Sequence, residues 1–296
     1  MSTFTIKLIA LLLMLLDHVG LVFGKLDGWG IIGDATYLRG FGRIAFPLFA
    51  FCLVNGFYKS KNVNLYIKRT LIFATISQIP FSLALYTVNL MKLTDSESLN
   101  LISCNGFLII IPICLSLGYL VIQNFNYKSN CLYLFLALLI SGISLKVNGM
   151  WVLYSGSLNV FYTLALGLLT LQAVEKLRFH TDIRFYQKVL TAALILLGLA
   201  YIGTRSDYGI PGIILILGLY FSKSSITREI IVVCVWGLVF YGIIIGNFYN
   251  AIFSCASALI ILMYNRKKGL SIKYLFYIFY PLHLFLLGLM NIFFRL

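Results

Sequence analysis

Eleven stretches of the chain are apolar over most of their length: 4–24, 42–58, 67–88, 102–123, 131–147, 158–175, 189–204, 208–222, 229–246, 248–264 and 274–293. The runs are continuous and do not alternate with a period of two. That predicts bilayer-crossing helices and not the strands of a barrel. The run at 208–222 is short for a span, and the division between 246 and 248 follows from length and from the polar "GNFYN". The expected fold class is all-α: a single transmembrane domain over 1–296 with about eleven helices.

The charges between the runs orient them. If the N-terminus is cytoplasmic, sixteen of the 23 Lys and Arg fall on cytoplasmic segments, among them Lys59, Lys61, Arg184, Lys188, Lys267 and Lys268. Cytoplasmic loops carry such an excess. The pattern predicts a cytoplasmic N-terminus, an outside C-terminus and a multi-pass protein of the plasma or inner membrane.

Composition agrees. The chain is 61% hydrophobic and only 11% charged, about half the charged fraction of a soluble domain. The net charge of +14 sits in short loops, which leaves no basic folded face for a nucleic acid. The six cysteines form no C-x-x-C pair and no metal spacing with histidine. No small-residue cleavage site follows the first run, so that helix is expected to be retained.

The chemistry lies where polar residues interrupt the runs. "MLLDHVG" (14–20) puts Asp17 and His18 at the far end of the first helix. Neighbours on a helix point about 100° apart, so Asp17 must look to another helix for a cation. Arg43 in "RGFGRIAFPLFAF" (39–51) lies at a similar depth and cannot lose its charge. An Asp17–Arg43 pair is therefore expected. His18 shares a stripe with Met14, Leu11 and Lys7, and Lys7 lies roughly 16 Å toward the cytoplasm. In "FYIFYPLHLFL" (276–286), His283 sits mid-span, Tyr280 lies on its face, and Pro281 frees the carbonyl of Tyr277.

Ionisable residues inside membranes are functional by default. Each also has a plain reading: Asp17 and Arg43 as a structural ion pair, His18 as a donor to a carbonyl. Asn159 and Asp207 read as helix caps. No H-E-x-x-H, G-x-S-x-G or paired-carboxylate pattern occurs, and no metal site is expected. These residues predict a polar, histidine-bearing cavity open to the outside, and do not separate an enzyme from a transporter.

Six segments carry a resemblance. "KLIALLLMLLDHVG" (7–20), "GRIAFPLFAFCLVNGFY" (42–58), "YIKRTLIFATISQIPF" (66–81), "LNVFYTLALGLL" (158–169), "DYGIPGIILI" (207–216) and "YIFYPLHLFLL" (277–287) resemble the TraX family, in order and from end to end. That resemblance implies N-acetylation of a pilin-like N-terminal amine. It also implies a distant similarity to transmembrane acyltransferases such as heparan-α-glucosaminide N-acetyltransferase, which take acetyl-CoA from the cytosol.

By motif, His18, Arg43 and His283 match the family's polar positions. The implied catalytic set is His18, His283, Asp17, Arg43 and Tyr280, with an imidazole, His18 first and His283 second, as general base and Arg43 or Tyr280 on the oxyanion. Lys7, Lys68, Arg69 and Lys273 are the implied phosphate-holding residues for acetyl-CoA. Asn159 and Asp207 are the substrate-side candidates. Expected partners are the lipid bilayer and an acetyl acceptor (a protein N-terminus, a peptide or a surface glycan); a homodimer is allowed for and nucleic acid is not. The alternative is a transporter or flippase for a polar or lipid-linked solute, which predicts internal pseudo-symmetry between helix sets. A third reading, a non-catalytic scaffold, leaves two intramembrane histidines without a purpose.

Overall fold

Two compact units make up the chain: Met1–Tyr58 with Ile214–Leu296, and Lys59–Ile213. A computed structural model describes residues 1–24, 35–85, 102–104, 125–147, 150–154, 156–179, 205–270 and 273–293.

The first unit holds α1 (Thr3–Phe23), α2 (Thr36–Gly42), α3 (Ala45–Lys59) and most of α7 (Gly209–Ser222). It also holds α8 (Ile226–Gly237), which runs on as a π-helical stretch (Leu238–Ile244), then α9 (Phe248–Leu262) and α10 (Lys273–Phe293). The second unit holds α4 (Val63–Leu85), β1 (Ile102–Cys104), α5 (Phe125–Ser141), β2 (Ile143–Val147), β3 (Met150–Leu153) and α6 (Val160–Phe179).

Among the described residues, four helices are long and apolar enough to cross a membrane: Thr3–Phe23, the bent Thr36–Lys59, Ile226–Ile244 and Tyr274–Phe293. The 21 residues of α1 span about 32 Å, close to the thickness of a hydrocarbon core. Ser2 caps its start, accepting from the Thr5 N–H at 3.2 Å. The first residues also pair with the segment before α10: Thr3 N–H donates to Lys267 O at 2.9 Å and Phe4 N–H to Lys268 O at 3.1 Å.

The side-chain distribution on α9 is that of a helix in lipid. It buries Ala251, Ser254, Ser257 and Ala258 and exposes Ile252, Leu259 and Leu262. Small and polar groups sit inside, large apolar ones outside. A Cβ on Gly237 would stand 3.0 Å from Ser254 Oγ, so α8 and α9 meet through that glycine.

The break between α2 and α3 has a local cause. The ring of Pro47 excludes an unbroken helix through the carbonyl of Arg43, and the turn falls at Arg43 and Ile44. Pro47 then sits in the first turn of α3, where no N–H is needed.

The protein is mostly helical, and nine of the eleven runs coincide with helices among the described residues. Two expectations change. The run at 131–147 is helical only to Ser141 and continues as β2. The run at 102–123 opens as β1, and the rest of it lies outside the described residues, as does 189–204. β1, β2 and β3 form a three-stranded antiparallel sheet, with Ile102 opposite Leu145 and Val147 opposite Met150. The expected all-α class is corrected to that extent. Gly142 follows the end of α5, β-branched Ile143 and Val147 bracket β2, and the residues between β2 and β3 are Asn148-Gly149, the dipeptide most used in two-residue hairpins. The 14 residues of α7 are as short as the sequence indicates.

Candidate functional site: a buried histidine pair beside a shared carboxylate

α1 buries one stripe, Ile6, Ala10, Leu11, Met14 and His18, together with Asp17 beside it. The stripe meets α10, and there the two histidines touch. His18 Nδ1 lies 2.7 Å from His283 Nε2, and the rings meet edge to edge, nearly coplanar, with an interplanar angle of 13° and centroids 5.0 Å apart. Each histidine is 6% exposed. The other nitrogen of His283, Nδ1, lies 2.7 Å from the carbonyl oxygen of Phe279, one turn earlier. Tyr280 is buried edge-on to both rings, with centroids 6.0 Å from His18 and 5.6 Å from His283.

Asp17 points away from the pair, as adjacent helical positions require. Its Oδ1 accepts from Arg39 Nη1 at 2.8 Å and from Arg43 Nη2 at 3.4 Å. Arg43 also lies over the Tyr241 ring at 5.8 Å. The approach depends on Gly42, because a Cβ there would stand 2.6 Å from Asp17 Oδ1. Gly20 likewise admits α2, with Leu38 Cβ 2.9 Å from where its own Cβ would be.

The expected Asp17–Arg43 contact is present, and the shorter contact is with Arg39, which the sequence reading had not singled out. The signal was available: Arg39 and Arg43 are four residues apart and share a helix face.

Lys7 begins the same stripe, with its ammonium over the Phe276 ring at 5.1 Å. Tyr280 lies one turn beyond Phe276 and His283 three residues further. The first unit therefore gathers His18, His283, Tyr280, Asp17, Arg43 and Lys7.

The remaining candidates belong to the second unit or fall outside description. Lys68 donates to Tyr133 Oη at 2.7 Å and lies 4.3 Å over that ring. Arg69 follows it, half-buried on α4. Asn159 is fully buried. Its Oδ1 accepts from Phe161 N–H at 3.0 Å, and its Nδ2 donates to Ala74 O at 2.7 Å and Gln78 Oε1 at 2.9 Å. It caps α6 and braces it to α4. Asp207 is exposed in the turn before α7, and its N–H donates to Leu158 O. The side chain of Lys273 lies outside the described residues.

Sequence reading also missed a second polar knot in the first unit. Lys223 donates to Asn55 Oδ1 at 2.7 Å and pairs with the buried Glu229 at 3.3 Å. Thr3 Oγ1 and Tyr264 Oη adjoin it, 3.0 Å apart.

Fold and site together define a helical membrane protein with an ionisable cluster inside it. The family model for "TraX protein" matches residues 2–102 and 109–291, and the chain belongs to the TraX family. It is also similar to the "Probable fimbrial assembly protein FimC, serogroup H1" of Dichelobacter nodosus, at 41% identity over 80 residues. Those residues are 27% of this chain and 31% of that protein, so the likeness covers under a third of the relative. No solved structure matches the chain.

Proposed function

We propose that the protein is a multi-pass acetyltransferase of the plasma or inner membrane. In this reading it moves an acetyl group from acetyl-CoA to an amine at the extracytoplasmic side, the acceptor being the N-terminus of a fimbrial or pilin-type subunit. The observation that carries the reading is the contact between His18 and His283, contributed by α1 and α10 and buried beside two arginines. A buried imidazole pair holds a base out of water, where it can take a proton from an amine poised for attack. Membership of the TraX family and the likeness to a fimbrial assembly protein support the acceptor class.

The reaction runs as follows. The acceptor amine attacks the thioester carbonyl carbon, and an imidazole takes the N–H proton. Arg43 or Tyr280 donates to the oxyanion that develops on the carbonyl oxygen. The C–S bond breaks, and the CoA thiolate recovers the proton from the imidazole. Asp17, shared by two guanidiniums, holds α2 against α1 so that Arg43 stays near the pair. Lys7, on the same helix as His18 and roughly 16 Å away along the axis, is placed to meet the donor's phosphates with a cytoplasmic N-terminus. Basic side chains hold phosphate as charge-assisted hydrogen bonds.

The test uses full-length protein in nanodiscs, radiolabelled acetyl-CoA and a peptide with a free N-terminal amine. Label should pass to that peptide and not to one whose N-terminus is blocked. Equal labelling of both peptides, through a hydroxyl or a lysine, would overturn the acceptor assignment. No label on either at millimolar donor would overturn the reaction.

A further inference from the structure

The two histidines have unequal hydrogen-bond partners, and those partners place their protons. A carbonyl oxygen only accepts, so the 2.7 Å contact to Phe279 O requires a proton on His283 Nδ1. In the neutral ring His283 Nε2 is then a lone pair. The 2.7 Å contact to His18 must be donated by His18 Nδ1–H. Both protons of the neutral pair are thereby placed, and the one remaining lone pair is on His18 Nε2. The chain runs in one direction, from His18 Nδ1–H to His283 Nε2 and from His283 Nδ1–H to Phe279 O.

We infer that His18 Nε2 is the only nitrogen of the pair that takes the proton from the acceptor, and that His283 is a positioning residue. His283 fixes the tautomer of His18 and shares the charge that forms. When Nε2 of His18 gains a proton, its Nδ1–H moves toward His283 Nε2 and the charge is shared over two hydrogen-bonded rings. The far end is a backbone carbonyl, which cannot accept a proton for keeps. The proton therefore returns through His18 Nε2 to the leaving thiolate. One nitrogen serves as base to the amine and as acid to the sulfur, and the step balances as free amine plus thioester giving amide plus thiol. Sequence reading takes His18 first and His283 second as the base; here the two have different roles.

The kinetic part rests on the acetyl-transfer reading; the tautomer part does not. The chain has three histidines, so nitrogen-15 histidine labelling in a His180→Gln background leaves two rings to observe. Solid-state NMR of that protein in lipid, with no substrate, should show both rings as the Nδ1–H tautomer, with a contact between His18 Nδ1 and His283 Nε2. An Nε2–H tautomer at His18, or no contact between those nitrogens, overturns the assignment whatever the enzyme does.

The kinetic arm uses two shape-matched variants. His18→Asn keeps a donor at the Nδ1 position and lacks Nε2, and should lose about 100-fold or more in turnover. His283→Gln keeps an acceptor at the Nε2 position and should stay within about tenfold of wild type, while His283→Leu should fall well below His283→Gln. The reverse order, with His283→Gln dead and His18→Asn active, would make His283 the base and overturn the proposal. Absence of turnover in wild type counts against acetyl transfer and leaves the NMR result to decide the tautomers.

Discussion

The two units bury polar side chains for different ends. The first sets ionisable groups against one another: His18 against His283, Asp17 against Arg39 and Arg43, Lys223 against Glu229. Among its described residues the second uses amides and hydroxyls. Gln78 joins Asn159 and the carbonyls of Tyr154 and Ser157, Asn130 joins Asn64 and Gln172, and Tyr162 joins Ser141. Amides and hydroxyls keep their protons at ordinary pH and staple helices together in lipid. Imidazoles and guanidiniums in the same setting cost more and do more, because they move protons or stabilise charge. Among the described residues, the buried ionisable groups set against one another thus lie in the first unit and the amide network in the second.

The sharpest way to break that contrast is Asp17→Asn, which leaves two guanidiniums without their shared carboxylate. Removing one partner of a buried ion pair costs about 3–5 kcal/mol. A detergent or steric-trapping unfolding measurement should show that loss, and an unchanged stability would mean the carboxylate is not what holds the arginines. His18→Ala comes next. Turnover should fall about 100-fold or more, equivalent to about 2.8 kcal/mol of barrier at about 1.4 kcal/mol per tenfold, and stability should change far less than in Asp17→Asn.

Asn159→Ala tests the second unit. It removes a cap and a brace, costing about 1–3 kcal/mol of stability, and turnover per folded molecule should match wild type. Loss of turnover without loss of stability would show that the amide network also serves the reaction. Gly42→Ala should cost about 1–3 kcal/mol through the clash with Asp17, and part of that should return in Gly42→Ala/Asp17→Gly, which removes the clashing side chain, but not in Gly42→Ala/Asp17→Asn, which keeps it. Lys68→Met is the mildest change, removing a contact to Tyr133 worth about 0.5–1 kcal/mol. A larger effect on acetyl-CoA affinity than on stability would give Lys68 a role at the donor.

How much of this was legible depends on the kind of signal. Asp17, His18, Arg43 and His283 stand out because each interrupts an apolar run, and the cost of burying them says they must meet partners. Helical spacing added that Asp17 turns away from His18 and that Lys7 shares the His18 stripe. Neither argument names the partner of His18, since nothing local brings residue 18 to residue 283.

Arg39 was passed over because it sits at the polar margin of its run, although its four-residue spacing from Arg43 marked a shared face. Lys223 read as a loop charge, and its contacts to Asn55 and Glu229 are one long-range and one local meeting that hydropathy does not reveal. The strands after α5 were hidden for a different reason. Ile143–Val147 is as apolar as a helix end, and only Gly142, the β-branched residues and Asn148-Gly149 marked the change.

The proposed role of the histidine pair is to serve acetyl transfer from acetyl-CoA. The most direct measurement is release of free CoA from acetyl-CoA by full-length protein in nanodiscs, with an amine acceptor present, for wild type and His18→Asn side by side. Wild type should release CoA steadily and only with the acceptor present, and a folded His18→Asn should lose at least about 100-fold. Release that is equal in both proteins, or none from wild type at millimolar donor, would contradict it.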